Sequence, residues 1–150
     1  MRILIVQLRR VGDILLTTPV APYLRQAIPG ASVDFLCEPM GKTVLETNPH
    51  LSNVLIYDRK HALREIARVR SRKYDAVLDF LNNPRSAHLT AASGARWRVG
   101  FKNGFWGSVC YNVAAPVPKE PEYVPSRKLR LVRFWLETAG IPAPAPASAP

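Results

Sequence analysis

Residues 2–19 read RILIVQLRRVGDILLTTP, and this stretch decides the fold prediction. The apolar run ILIV is typical of a strand that is buried on both faces of a parallel sheet. A short basic loop with Arg9 and Arg10 follows, and then an apolar helix. Gly12 permits a tight turn, and Asp13 occupies the position of a helix N-cap. Because ligands of open α/β sheets bind at the carboxyl ends of strands, this loop is the first candidate for a functional site.

Apolar runs and amphipathic segments continue to alternate along the chain of 150 residues. We predict strands at residues 2–7, 32–37, 53–57, 75–80, 98–102 and near 109–113. We predict helices at residues 13–28 with a kink at its prolines, and at 41–47, 61–72, 87–93 and 126–139, the last capped by Ser126 with Leu129, Val132, Leu136 and Ala139 facing the core. This alternation predicts an α/β, Rossmann-like, doubly wound fold with a mostly parallel sheet.

The composition supports one ordinary globular core, since 47% of the residues are hydrophobic. No apolar run approaches the ~18 residues that a membrane span requires, and the first residues do not resemble a secretory signal. Cys37 and Cys110 lack the spacing of a disulfide pair or a metal site, so we expect a cytoplasmic, reducing location. The three histidines are scattered, and we expect no metal site.

The net charge of +10 predicts anionic partners such as nucleic acid, phosphorylated sugars or an anionic lipid surface. Arginine binds phosphate and carboxylate groups through its planar fork of donors. The candidates lie next to the predicted carboxyl edge of the sheet: Arg9, Arg10, Arg59, Lys60, Arg64 and Arg85. For Arg68, Arg70 and Arg72, on the predicted helix at 61–72, two interpretations stay open: they bind an anionic partner, or they form a helix face that contacts only solvent.

The loop after the first strand lacks the glycine patterns of a dinucleotide site or a P-loop. No Ser/His/Asp or Cys/His arrangement is supported by spacing. Two interpretations of Asp13 therefore stay open. It is either a helix cap, which would stabilise the helix by ~1 kcal/mol, or a general base that removes the proton of a sugar hydroxyl from within ~3 Å.

The segment ILIVQLRRVGDILLTTPVAPYLRQAIPGASVDFLCEP resembles the amino-terminal half of the glycosyltransferase family 9 heptosyltransferases. The similarity continues through NPHLSNVLIYD, DAVLDFLNNPRSAHLTAASGARWRVGF and SRKLRLVRFWLETAGI. It implies the amino-terminal half of a GT-B fold, in which two Rossmann-like domains face each other across a cleft. It also implies an inverting enzyme of lipopolysaccharide biosynthesis that transfers heptose from ADP-heptose to a lipid A–Kdo acceptor.

The resemblance implies roles for some of the site residues. Asp13 would be the base, and Arg59, Lys60 and Arg64 would bind the anionic acceptor. We interpret Gly12 as the turn that lets the substrate approach, and Arg9, Arg10 and Arg85 as further candidates for anionic contacts. The mechanism would need no metal and no cofactor beyond the donor substrate. A lipid-linked acceptor implies peripheral contact with the inner face of the inner membrane, and no specific nucleic acid is expected.

The expected domain organisation follows from the same resemblance. Residues 1–140 would form the acceptor-binding domain, and residues 141–150 (IPAPAPASAP) a Pro/Ala-rich linker or tail. The donor-binding domain is expected to be absent from this sequence, which would make the chain a fragment, or one of two separately encoded halves, that is inactive alone. Two alternatives remain open: a non-catalytic basic module that binds RNA or an anionic lipid surface through Arg64, Arg68 and Arg72, and an inactive remnant.

Overall fold

The structure, a computed structural model, describes residues 1–145 of the chain. Within this range the sheet has six strands: β1 (Arg2–Val6), β2 (Ser32–Cys37), β3 (Asn53–Ile56), β4 (Ala76–Asp79), β5 (Trp97–Phe101) and β6 (Val113–Ala115). Every neighbouring pair is parallel, and the strand order is β3-β2-β1-β4-β5-β6. The predicted Rossmann-like, doubly wound α/β fold is therefore confirmed, with a sheet that is parallel throughout.

Helices cover both faces of the sheet. In the described part of the chain they are α1 (Val11–Thr17), α2 (Val20–Ala27), α3 (Lys42–Leu45), α4 (Ala62–Ser71), α5 (Pro84–Ala92), α6 (Gly104–Cys110) and α7 (Val124–Thr138). Along β1, Ile3 and Ile5 face a core that includes residues of α1, α2, α3 and α7. Leu4 and Val6 face a second core, with α4 and α5. This alternation explains why β1 is an unbroken apolar run.

The first crossover confirms the predicted kink and corrects the predicted helix start. α1 ends at Thr17 and α2 begins at Val20, because Pro19 has no N–H to continue the first helix. The tight turn lies at Arg10, whose φ is 66°, and not at Gly12. The helix thus begins two residues earlier than predicted, and Asp13 lies in its first turn without capping it.

Residues 103–121 differ most from the prediction. Of the strand expected near 109–113, the first two residues are the end of helix α6, the next two form a link, and β6 begins only at Val113. Gly104 opens this helix at a φ of 68°. A Cβ on Gly107 would lie 2.7 Å from the backbone oxygen of Phe101, so only glycine permits this close approach. Tertiary packing therefore stabilises α6, which has little helical signal in its sequence.

The last helix and the start of the predicted linker also differ from expectation. α7 begins at Val124 with Pro125 in its first turn, a position that suits the fixed φ of proline, so Ser126 is inside the helix and does not cap it. Within residues 141–145, Ile141 packs against the core. The Tyr23 hydroxyl donates a 3.0 Å hydrogen bond to the Pro144 carbonyl. The predicted linker therefore begins as a segment that lies on the domain, and residues 146–150 fall outside the described residues.

Candidate active site

A cavity of about 210 Å³ opens at the carboxyl ends of β1, β4 and β5. The chain winds outward in opposite directions from β1 and β4, so the cavity lies at the topological switch point of the sheet, where ligands of such folds bind. Its walls are formed by Gln7, Asp13, Phe80, Leu81, Asn82, Phe101, Asn103, Val124, Arg127 and Lys128. The sequence-based prediction found Asp13 but missed the other polar residues of this set.

Asp13 lines this cavity from the first turn of α1 and is half-buried. Its backbone is part of α1, and its carbonyl accepts a 2.6 Å hydrogen bond from the Thr17 hydroxyl. Among the described residues, the Asp13 carboxylate accepts no hydrogen bond and forms no ion pair, although its helix position would allow a cap. The interpretation of Asp13 as a structural cap is therefore wrong, and its carboxylate remains available to a ligand.

Lys128 enters the same cavity from α7 and is only 7% exposed. Its Nζ donates a 3.1 Å hydrogen bond to Oε1 of Gln7, a residue that directly follows β1. The Lys128 ammonium also lies 5.4 Å from the centre of the Phe80 ring. Burial lowers the pKa of Lys128 to about 8, although the negative charge of the Asp13 carboxylate acts to raise it.

Asp79 holds the loop that forms one wall of the cavity. It is fully buried at the end of β4, and its Oδ1 accepts hydrogen bonds from the backbone N–H groups of Leu81 (2.9 Å) and Asn82 (3.1 Å). Its Oδ2 accepts the hydroxyl proton of Tyr111. Burial raises the pKa of Asp79, and these hydrogen bonds act in the opposite direction. Asn82, at a φ of 56°, accepts a 3.1 Å hydrogen bond from the Phe101 backbone N–H.

The predicted basic residues do not line the cavity but lie on the exposed surface around the same edge of the sheet. Arg9 and Arg10 form the exposed link between β1 and α1. Arg59 and Lys60 form an exposed helical turn directly after β3. The remaining two are exposed residues of α4 and of the first turn of α5: Arg64 and Arg85.

Tyr57, which directly follows β3, connects several of these basic groups. Burial raises the pKa of Tyr57, while the positive charges of Arg85 and Arg59 act in the opposite direction. The Arg59 Nε also lies 3.4 Å from Oε1 of Glu38, a buried carboxylate that follows β2. We call the exposed basic residues around this edge of the sheet the basic rim: Arg9, Arg10, Arg59, Lys60, Arg64 and Arg85.

Three arginines lie at four-residue spacing, Arg64 and Arg68 on α4 and Arg72 directly after it. Two of them contact other groups of the protein. Arg68 donates hydrogen bonds to Glu65 and to the Ile56 carbonyl. The Arg72 side chain lies 3.6 Å from the buried carboxylate of Asp34 and donates to the Tyr74 hydroxyl. Arg68 and Arg72 therefore bind groups within the protein. These contacts disfavour a nucleic-acid-binding surface made of the three arginines.

Three further observations concern the described residues. No group of three or more His, Cys, Asp or Glu side chains among them is arranged to hold a metal ion. Burial raises the pKa of Cys37 to about 11, so this thiol is protonated at neutral pH and is a poor nucleophile. No helix in this part of the chain has both the length and the apolar character needed to cross a membrane.

Gly12 gives a direct test of the helix start. A Cβ at this position would meet no atom within 4 Å, and its backbone does not need a positive φ. Replacing Gly12 by Ala is therefore expected to raise the free energy of unfolding by about 0.5–1 kcal/mol, as for other glycines inside helices. Urea unfolding of both proteins measures this difference.

The matched control is Gly100→Ala, whose methyl group would overlap the ring of Tyr111 and should destabilise the protein. A Gly12→Ala variant that is less stable than the wild type would contradict a helical Gly12. The same variant tests whether a ligand approaches Gly12, because a methyl group in that space would weaken binding without loss of stability.

No protein-family model matches the sequence, and no curated protein matches it either. Solved structures do match the fold. E. coli heptosyltransferase WaaC with ADP aligns with a TM-score of 0.78 and 23% identity over 98% of this chain. E. coli ADP-heptose lps heptosyltransferase II aligns with a TM-score of 0.77 and 20% identity over 89% of this chain.

The glycosyltransferase family 9 protein from Veillonella parvula aligns with a TM-score of 0.76 and 19% identity over 89% of this chain. The chain has the fold of the part of these family 9 glycosyltransferases with which it aligns. It spans 50% of the length of the WaaC structure and 40% of the other two. The similarity that the sequence predicted is thereby confirmed at the level of the fold.

Proposed function

We propose that this chain is the acceptor-binding half of an inverting, heptosyltransferase-like glycosyltransferase. The observation that carries the proposal is Asp13, which lines a cavity at the switch point of the sheet and whose carboxylate forms no hydrogen bond and no ion pair among the described residues. A carboxylate in this position can accept a proton from a ligand hydroxyl. The fold shared with heptosyltransferases supports a sugar as that ligand.

The reaction would be a single displacement. The acceptor hydroxyl oxygen attacks the anomeric carbon of the donor sugar while its proton moves to the Asp13 carboxylate. The bond from that carbon to the diphosphate oxygen breaks, the nucleotide leaves with the bonding electrons, and the configuration at the carbon inverts. ADP-heptose is the proposed donor, held by a second domain across the cleft, and a lipid A–Kdo precursor of lipopolysaccharide is the proposed acceptor.

The basic rim supports an anionic acceptor. Arg9, Arg10, Arg59, Lys60, Arg64 and Arg85 are exposed around the edge of the sheet that holds the cavity. Guanidinium groups suit carboxylate and phosphate, both of which a lipid A–Kdo acceptor carries. Because such an acceptor is anchored in a lipid layer, the proposed location is cytoplasmic, with the rim in peripheral contact with the inner face of the inner membrane.

Binding to residues 1–150 alone tests the proposal. We expect saturable binding of de-O-acylated Kdo2-lipid A, measured by isothermal titration calorimetry, that persists from about 50 to about 200 mM salt. A short RNA should lose at least about tenfold in affinity over this range, because its binding would rest on counterion release. Tight, sequence-independent RNA binding that the glycolipid does not displace would contradict the proposal.

Charge-matched variants separate the rim from the general positive charge. The double variant Arg59→Gln, Lys60→Gln is expected to weaken glycolipid binding by at least about tenfold, since the loss of a single charge-assisted hydrogen bond, roughly 1.5–3 kcal/mol, already corresponds to that factor. The control is Lys73→Gln, Arg96→Gln, which removes two exposed charges at the opposite edge of the sheet. Equal effects of the two double variants would mean that the rim does not bind the acceptor.

A further inference from the structure

Lys128 is a charged residue where the fold calls for an apolar one. The buried residues of α7 are Lys128, Leu131, Val132, Trp135 and Leu136, which is the spacing of a core-facing stripe. An ammonium group at the first position of such a stripe is disfavoured unless it is paired. Among the described residues Lys128 forms no ion pair, and its one hydrogen bond goes to the neutral Gln7 amide. The fold alone therefore does not explain this lysine.

The hydrogen-bonding capacity of Lys128 is also unfilled. An ammonium group has three N–H donors. One of them is used by Gln7 Oε1 at 3.1 Å, and the centre of the Phe80 ring lies 5.4 Å from the group. Lys128 lines the same cavity as Asp13, which places a strong donor and a strong acceptor around one small space.

We propose that Lys128 contacts the acceptor hydroxyl oxygen, on the side opposite the Asp13 carboxylate, and stabilises the charge that develops there. This inference rests on the proposed function. A hydroxyl group both donates and accepts, so it can donate its proton to Asp13 while its oxygen accepts a hydrogen bond from the Lys128 ammonium. As the proton moves to Asp13 and the oxygen bonds to the anomeric carbon, Lys128 keeps its own protons and acts as a fixed positive charge.

The surroundings of Lys128 predict how this contact depends on pH. Two charged groups face it: the Asp13 carboxylate from α1, which favours its protonated form, and the Arg127 guanidinium from α7, which disfavours it. Gln7 and Phe80, which follow β1 and β4, are neutral. Burial outweighs these charges and lowers the pKa of Lys128 to about 8. The Lys128 side chain is therefore charged at pH 7 and neutral well above pH 8, whereas an arginine at this position would stay charged over the whole range.

The test compares binding of de-O-acylated Kdo2-lipid A at about pH 6.5 and about pH 9.5, by calorimetry, for the wild type and three variants. The wild type should lose about tenfold or more in affinity between the two pH values, the range of one charge-assisted hydrogen bond. Lys128→Met should bind weakly at both, and Lys128→Arg should lose far less. Lys73→Met, which removes an exposed charge at the opposite edge of the sheet, should behave like the wild type.

Thermal unfolding shows whether the variants are folded. The pKa of Lys128 is lower in the folded chain than in the unfolded one, so the unfolded chain binds more protons between about pH 8 and 10.5. Wild-type stability should therefore rise over this window relative to Lys128→Met. The variant should melt above the wild type at pH 7, and this difference should shrink towards pH 10.

Two results would overturn the inference. If the wild type and Lys128→Met bind the glycolipid equally at both pH values, Lys128 does not contact the acceptor, and the proposed function stands without it. If Lys73→Met binds the glycolipid as weakly as Lys128→Met at about pH 6.5, the effect comes from net charge. Failure of the wild type to bind the glycolipid at about pH 6.5 would instead contradict the proposed function itself.

Discussion

Replacing Asp13 by Asn is expected to lower the rate of sugar transfer by about 10²–10⁴-fold, the usual contribution of a general base. The amide keeps the size of the carboxylate but cannot accept the hydroxyl proton. The measurement is ADP release from ADP-heptose with Kdo2-lipid A, in a protein that joins this chain to a donor-binding domain. The loss should fall on kcat, since acceptor binding rests mainly on the basic rim.

Stability separates this role from a structural one. The Asp13 carboxylate makes no hydrogen bond among the described residues, so Asp13→Asn should lower the melting temperature only slightly, through the loss of a negative charge beside Lys128 and in the first turn of α1. The control is Asp75→Asn at the opposite edge of the sheet, where the exposed carboxylate accepts a 2.7 Å hydrogen bond from the Arg2 backbone N–H. An Asp13→Asn variant that keeps more than about a tenth of the activity would show that another group is the base.

Replacing Asp79 by Ala is expected to lower the free energy of unfolding by roughly 3–5 kcal/mol. The change leaves two backbone N–H groups and the Tyr111 hydroxyl without their buried acceptor, and each such group costs about 1–3 kcal/mol. The loop after β4 should also lose its fixed conformation, so acceptor binding should weaken with stability. Denaturant unfolding and the calorimetric assay measure the two effects.

Two milder variants test this assignment by steps. Asp79→Asn keeps one oxygen for the backbone N–H groups of Leu81 and Asn82, so it should cost less than Asp79→Ala. Tyr111→Phe removes only the hydroxyl that donates to Asp79 and should cost least. If Asp79→Ala is no less stable than Tyr111→Phe, then Asp79 does not hold the loop.

The central part of the fold could be predicted because the sequence pattern there depends on local geometry. Parallel strands covered on both faces are short apolar runs, and this made β1 and β2 evident. Pro19 marked the break between α1 and α2 for an equally local reason. α6 could not be predicted, since its glycines weaken a helical pattern and its position depends on packing against β5 and α5.

The site could be predicted only in part. Asp13 follows a strand directly, so its place at the carboxyl edge follows from topology. The Gln7–Lys128 hydrogen bond joins residues 121 positions apart, and no local pattern indicates it. The buried stripe on α7 includes Lys128, whereas the predicted core face begins at Leu129. The sequence pattern therefore did not mark Lys128 as an unusual core residue.

Two aspartates of one predicted strand show where the sequence is ambiguous. In DAVLDF, Asp75 and Asp79 have similar apolar neighbours. In the fold Asp75 is exposed at the amino edge, whereas Asp79 is fully buried beside the cavity. The direction of the strand distinguishes their roles, and that direction is known only once the topology is known.

The most direct test of the proposed acceptor site is to map the bound acceptor on the chain. Isotope-labelled residues 1–150 would be titrated with de-O-acylated Kdo2-lipid A, and backbone amide shifts would be followed by NMR. We expect the largest changes around Asp13, Asn82 and Lys128, with a second group at Arg59 and Lys60. Changes confined to the outer face of α4, or to the opposite edge of the sheet, would contradict an acceptor site at the switch point.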